Sequence, residues 1–177
     1  YFAPLIPMEI LDAIEYVSQD EEFLSTKSYE RETYTRIVKL IAYESQYFSN
    51  SASILKQFVL VKPDDYLNNS AKEKSKSLFQ CYLSGTQAPP KERCEWVKEL
   101  ILSPVQEERM LGLDLIKESL KTRSFAFVGG LEFGARRRSF GWRPQTFEEI
   151  QEWFIPWIEL IGLMDRVNRF DWRKKGY

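Results

Sequence analysis

Helix-start signals recur along this sequence at short, regular intervals, and they constrain its fold more than any other feature. Ser28, Asn50, Ser70, Pro90 and Ser103 each stand before an apolar stripe of helical period. Their spacing, 13 to 22 residues, makes a helix pair recur about every 40 residues, the period of HEAT and armadillo arrays. Two of these starts, Ser70–Glu73 and Ser103–Gln106, read as capping boxes, in which a hydroxyl accepts from an amide and the later side chain reaches back. Thr146–Glu149 is a third. No period-two alternation competes, apart from the short run Phe125–Val128.

The helices expected from these signals run in order. Ala3-Pro4 to Phe23 carries Ile6, Ile10, Ala13, Ile14 and Val17 at helical spacing, with Pro4 and Pro7 at its entry. Tyr29 to Ser45 follows, capped by Ser28. The next begins near Ser49 and Asn50 and stops at Pro63-Asp64-Asp65. The helix from Ser70 carries Leu78, Phe79, Tyr82 and Leu83 and stops at Gly85. Pro90 opens the helix of Cys94, Val97, Leu100 and Ile101, and Ser103 the helix that ends near Leu120. From Thr146 an aromatic-rich helix carries Trp153, Phe154 and Trp157, read as core side chains, with Pro156 kinking or breaking it. The expected fold is all-α: antiparallel helix pairs stacked as a HEAT/armadillo-like α-solenoid, with one long ordered loop at about 122–146 before the last helices. A bundle stays open, because the pairs share little internal similarity.

That loop combines what the helices lack. Phe125 to Thr146 holds four glycines, the run Arg136-Arg137-Arg138 with Arg143, and the aromatics Phe133, Phe140 and Trp142. Arginine forks suit phosphate and carboxylate, and aromatic faces stack on bases. Arg123, Arg136, Arg137, Arg138, Phe140, Trp142 and Arg143 are therefore the candidate binding residues, for a protein or a phosphate. The structural alternative is equally concrete: aromatics and arginines anchor a long insertion on the helices it crosses. Gly129, Gly130 and Gly134 do not make a phosphate loop, since Ala135-Arg136 stands where Lys-Ser/Thr is needed.

Composition narrows the chemistry. The 177 residues include no histidine and two cysteines, Cys81 and Cys94, in no metal spacing. Histidine-based nucleophile systems and a tetrahedral zinc site are thereby excluded from this chain, and no catalytic residue, metal or cofactor is assigned. The carboxylate pairs Glu107/Glu108 and Glu148/Glu149 sit near helix starts, where negative charge suits the dipole. Net charge is −1, but Tyr1 to Glu22 carries six acids and no base while the end of the chain is basic. Such asymmetry fits docking electrostatics or two solvated faces. Two packed thiols, no signal peptide and no apolar run of about 18–20 residues indicate a cytoplasmic chain without a membrane span. The chain reads as one helical domain, 1–177, cut from a longer protein.

Tyr82 to Arg93, Ser103 to Leu113, Glu132 to Thr146 and Trp153 together resemble a helical region of large bacterial multidomain proteins with an upstream NTPase module of the signal-transducing (STAND) type, or another effector. Glu132-Phe-Gly-Ala-Arg136 and Gly141-Trp-Arg-Pro144 carry the likeness. It implies a sensor or scaffold segment in defence or signalling, with any catalysis elsewhere and with other domains of the same protein, or a protein partner, as its binding partners. The alternative is a nucleic-acid-binding helical domain that uses the Arg136–Arg143 loop.

Overall fold

The computed structural model describes residues 5–25, 29–61, 66–128, 132–134 and 136–174. It is predominantly helical. Among the described residues eight α-helices run as α1 (Pro7–Val17), α2 (Glu21–Ser25), α3 (Tyr29–Ile41), α4 (Phe48–Leu60), α5 (Tyr66–Ser77), α6 (Pro90–Leu102), α7 (Gln106–Ser119) and α8 (Phe147–Lys174). A two-residue hairpin, β1 (Glu132–Phe133) with β2 (Arg136–Arg137), lies in the loop before α8. It is antiparallel, Glu132 opposite Arg137 and Phe133 opposite Arg136. No described helix is long and apolar enough to cross a membrane.

Helices that follow each other in the chain pack on each other: α3 on α4, α4 on α5, and α6 on α7. α8 returns to α6, while α5 meets α7 and α1 meets α4. One core joins them. Phe48, Phe58 and Leu55 of α4 are buried, and Phe48 meets Phe79, which meets Trp96 of α6, at 5.7 and 5.6 Å between ring centres. Gly112 lets α6 and α7 approach closely: a Cβ there would sit 2.9 Å from Ile101 Cδ1 and 3.2 Å from Leu100 Cβ.

Several starts fall where local chemistry places them. Pro90 is in the first turn of α6. The Thr146–Glu149 box closes at both ends: Glu149 N donates to Thr146 Oγ1, and Thr146 N donates to Glu149 Oε2, each at 3.2 Å. Other expectations give way to tertiary contacts. The first helical stretch is two helices: α1 stops at Val17, where Ser18 Oγ turns back to Glu15 O at 2.7 Å and also reaches Gln57. Ser103 accepts from Val105 N at 3.1 Å, so the capped turn precedes α7 and its box with Gln106 does not form. Pro156 does not break α8. Trp153, Trp157 and Leu160, all buried, hold the helix on both sides of the proline and outweigh the missing bond.

The largest departure is at α5. Its helix starts at Tyr66, ahead of Ser70, and ends at Ser77 instead of continuing to Gly85. Ser77 Oγ donates to Lys74 O at 2.7 Å, and the amides of Leu78, Phe79 and Gln80 bond three residues back in tight turns. Residues 78–88 then cross the interior without helical structure, with Leu78, Phe79, Cys81, Ser84, Thr86 and Ala88 buried. The cap at Ser28 and the stop at Pro63-Asp64-Asp65 lie outside the described residues.

Candidate functional site

A buried non-helical segment must find partners for its carbonyls. Here α6 supplies them from one side chain. Arg93 is fully buried. Its Nε donates to Ala88 O at 2.8 Å, Nη1 to Leu78 O at 3.0 Å and Gln80 O at 3.1 Å, and Nη2 to Thr86 O at 3.2 Å. The guanidinium plane lies over Trp153 at 5.2 Å and Trp142 at 6.0 Å from the ring centres. Burial lowers the Arg93 pKa to about 9, opposed by Cys81 and Glu92.

The loop before α8 docks on this hub. Trp142 stacks on Trp153 at 5.7 Å and 21°, and Trp153 Nε1 donates to Ser119 O at the end of α7 at 2.8 Å. Its backbone pairs with the 78–88 segment: Trp142 N donates to Thr86 O at 2.7 Å and Gly85 N to Phe140 O at 2.8 Å. Gly141 makes that approach possible. Its φ is +94°, and a Cβ would lie 2.6 Å from both Thr86 N and Thr86 O.

Beside the pairing lies a second cation, Lys39 of α3. It is buried and donates from Nζ to Ser84 O. Burial holds its amine well below the usual 10.5, and the Arg93 charge lowers it further. Arg138 closes the outer edge. Its guanidinium stands 4.6 Å from the ring centres of both Tyr43 and Phe133, donates to Leu40 O, and comes within 4.0 Å of Glu44. The Tyr43 hydroxyl accepts from Ser139 N at 3.2 Å and from Gln87 Nε2 at 2.9 Å.

The expected binding residues divide. Arg138 and Trp142 point into internal contacts and anchor the loop. Phe140 packs edge-on against Phe127 at 5.1 Å while remaining 43% exposed. Arg123 and Arg143 are exposed. Arg136 and Arg137 form the backbone of β2, and their side chains lie outside what is described. The run Phe125–Val128 is not a strand; Phe125 instead meets Tyr82 at 5.2 Å. Arg93, Lys39 and Tyr43, which organise the region, were not singled out from the sequence. Each sits inside an ordinary amphipathic helix or at its end, and the partners that give it a role lie far along the chain. Cys81 and Cys94 are buried free thiols, and burial raises them to about 12 and about 11.

Comparison of the chain with family models, with curated proteins and with solved structures finds no match.

Replacing Arg93 with Met leaves four buried carbonyls without this donor and should cost roughly 3–5 kcal/mol in urea unfolding. Arg93→Lys should recover only part of it, because an ammonium cannot reproduce the planar fork. Lys39 gives a pH signature. Its native pKa is lowered, so the unfolded chain binds this proton more tightly. The charged amine therefore weakens the native state at low pH, and that cost disappears as pH rises toward 10.5. In urea titrations at stepped pH, the stability of wild type minus Lys39→Met should increase over that window; a difference flat in pH would contradict the assignment.

Proposed function

We propose that the chain is a non-catalytic interaction or regulatory helical domain of a larger bacterial signalling or defence protein, with its helix pairs stacked in the manner of HEAT or armadillo repeats. The consecutive packing of α3, α4 and α5, and of α6 with α7, supports that arrangement. The loop of Phe125 to Thr146 is then a strap that fixes α8 on the array, and the interaction surface lies elsewhere.

One observation carries the interaction reading. An apolar cleft of 220 Å³ opens between the end of α6, the start of α7 and the second half of α8. Ile101, Leu102, Met110, Leu113, Leu163 and Met164 line it. Leu102 and Met110 are 54% and 57% exposed, and Val105 nearby is exposed too. Methionine adapts to different apolar shapes, and such a cleft takes the apolar side chains of a partner helix or of another domain of the same protein. Arg109 holds the turn beneath it in place, donating from Nη1 to Ser103 O at 2.8 Å and Pro104 O at 2.7 Å.

A photo-crosslinking residue placed at Met110 of the protein in its own cells should capture one defined segment, and Leu102→Glu should abolish that capture without lowering the unfolding temperature. Capture no stronger than from Lys117, on the exposed side of α7, would overturn the reading.

A further inference from the structure

α8 presents a side that the described residues leave uncovered. Trp153, Trp157 and Leu160 face the core. Away from them, Glu148, Glu152, Ile155 and Glu159 border an open groove of 680 Å³ against Pro89, Pro90, Lys91 and Glu95 at the start of α6, so that four carboxylates face one amine. Ile155 is 48% exposed. Neither Glu152 nor Glu159 has an ion-pair partner among the described residues.

Three further features fall on that side. At about 100° per residue, position 162 lies in line with 148, 152, 155 and 159. It is Gly162, and a Cβ added there meets nothing within 4 Å. Nothing among the described residues requires a glycine in the middle of this helix, where it weakens helical structure; what it permits is close approach of another backbone. Positions 166, 169 and 173 fall on the same side again. Charge changes sign just past the glycine, between Asp165 and Arg166. From Phe147 to Asp165, α8 carries Glu148, Glu149, Glu152, Glu159 and Asp165 and no base; from Arg166 to Lys174 it carries Arg166, Arg169, Arg173 and Lys174 against Asp171.

We propose that two copies of this chain dimerise through α8, antiparallel, with the helices crossing at Gly162. Positions equally far from the crossing then face each other: Ile155 lies opposite position 169, and Glu152 opposite 172, within a turn of Arg169 and Arg173. Each groove receives the basic last turns of the other copy's helix. A chain cannot fill its own groove this way, since its basic turns continue along the same helix and lie about 20 Å beyond Ile155. Parallel pairing would set acid on acid. The two-fold arrangement is self-complementary and closes after two copies. It uses residues other than those of the Met110 cleft and stands independently of that reading.

Sedimentation equilibrium of the whole chain from about 1 to about 100 μM should show a dimer that weakens at high salt. Gly162→Leu should weaken dimerisation about ten-fold or more, with the monomer unfolding at the same or a higher temperature. Glu152→Lys with Glu159→Lys should also dissociate the dimer, as should Arg166→Glu with Arg169→Glu and Arg173→Glu. Mixing these two variants should restore a one-to-one dimer, because each then offers the charge the other lacks. A monomer at about 100 μM, a dimer unaffected by Gly162→Leu, or a mixture that stays monomeric would overturn the proposal.

Discussion

A guanidinium carries five donors in a fixed plane, and Arg93 points this plane at a stretch of backbone that has left its helix. The carbonyls of Leu78, Gln80, Thr86 and Ala88 all accept from it in a fully buried site. Without these bonds a non-helical segment could not pass through the core, because each unpaired carbonyl there costs about 1–3 kcal/mol. With them the 78–88 segment becomes a rigid inner edge. The loop of Phe125 to Thr146 pairs its own backbone with that edge through Gly85, Thr86, Phe140 and Trp142.

The aromatic content of the chain follows from the same arrangement. Trp142 and Trp153 stack beside the Arg93 guanidinium, and Trp157 continues the row into α8. A buried cation with no carboxylate bonded to it among the described residues is held by carbonyl dipoles and ring faces, an expensive environment that lowers its pKa to about 9. Lys39, bonded to Ser84 O on the neighbouring turn, repeats this solution with an amine. Arg138 repeats it at the rim with Tyr43 and Phe133. The loop itself is held by Trp142 against Trp153, by the backbone pairing of Phe140 and Trp142, and by Arg138 at the rim.

Local signals were legible in the sequence where the chemistry is local. Pro90 and the Thr146–Glu149 box mark helix starts because their effect is complete within one turn. The loop of Phe125 to Thr146 was legible as the unusual stretch, and its aromatics and arginines as anchoring candidates. The end of α5 was not: Leu78, Phe79, Tyr82 and Leu83 keep a helical period, and the carbonyls that leave the helix after Ser77 find their donor in a side chain of α6. The continuity of α8 through Pro156 likewise depends on Trp153 and Trp157 being buried against other helices. A cluster of arginines is conspicuous in a sequence, while a single arginine such as Arg93 acquires its role only from residues brought to it by the fold.

The central claim is that Arg93 and the inner edge make the loop part of the core and not a surface appendage. Amide hydrogen exchange of the native chain tests it directly, through the backbone amides of Gly85 and Trp142 and that of Gln87, which donates to Tyr43 O at 2.7 Å. They should exchange as slowly as amides in the middle of α6, with the same opening free energy, since releasing them requires breaking the Arg93 network. Exchange of these three amides at the rate of an exposed loop, while α6 stays protected, would contradict the account.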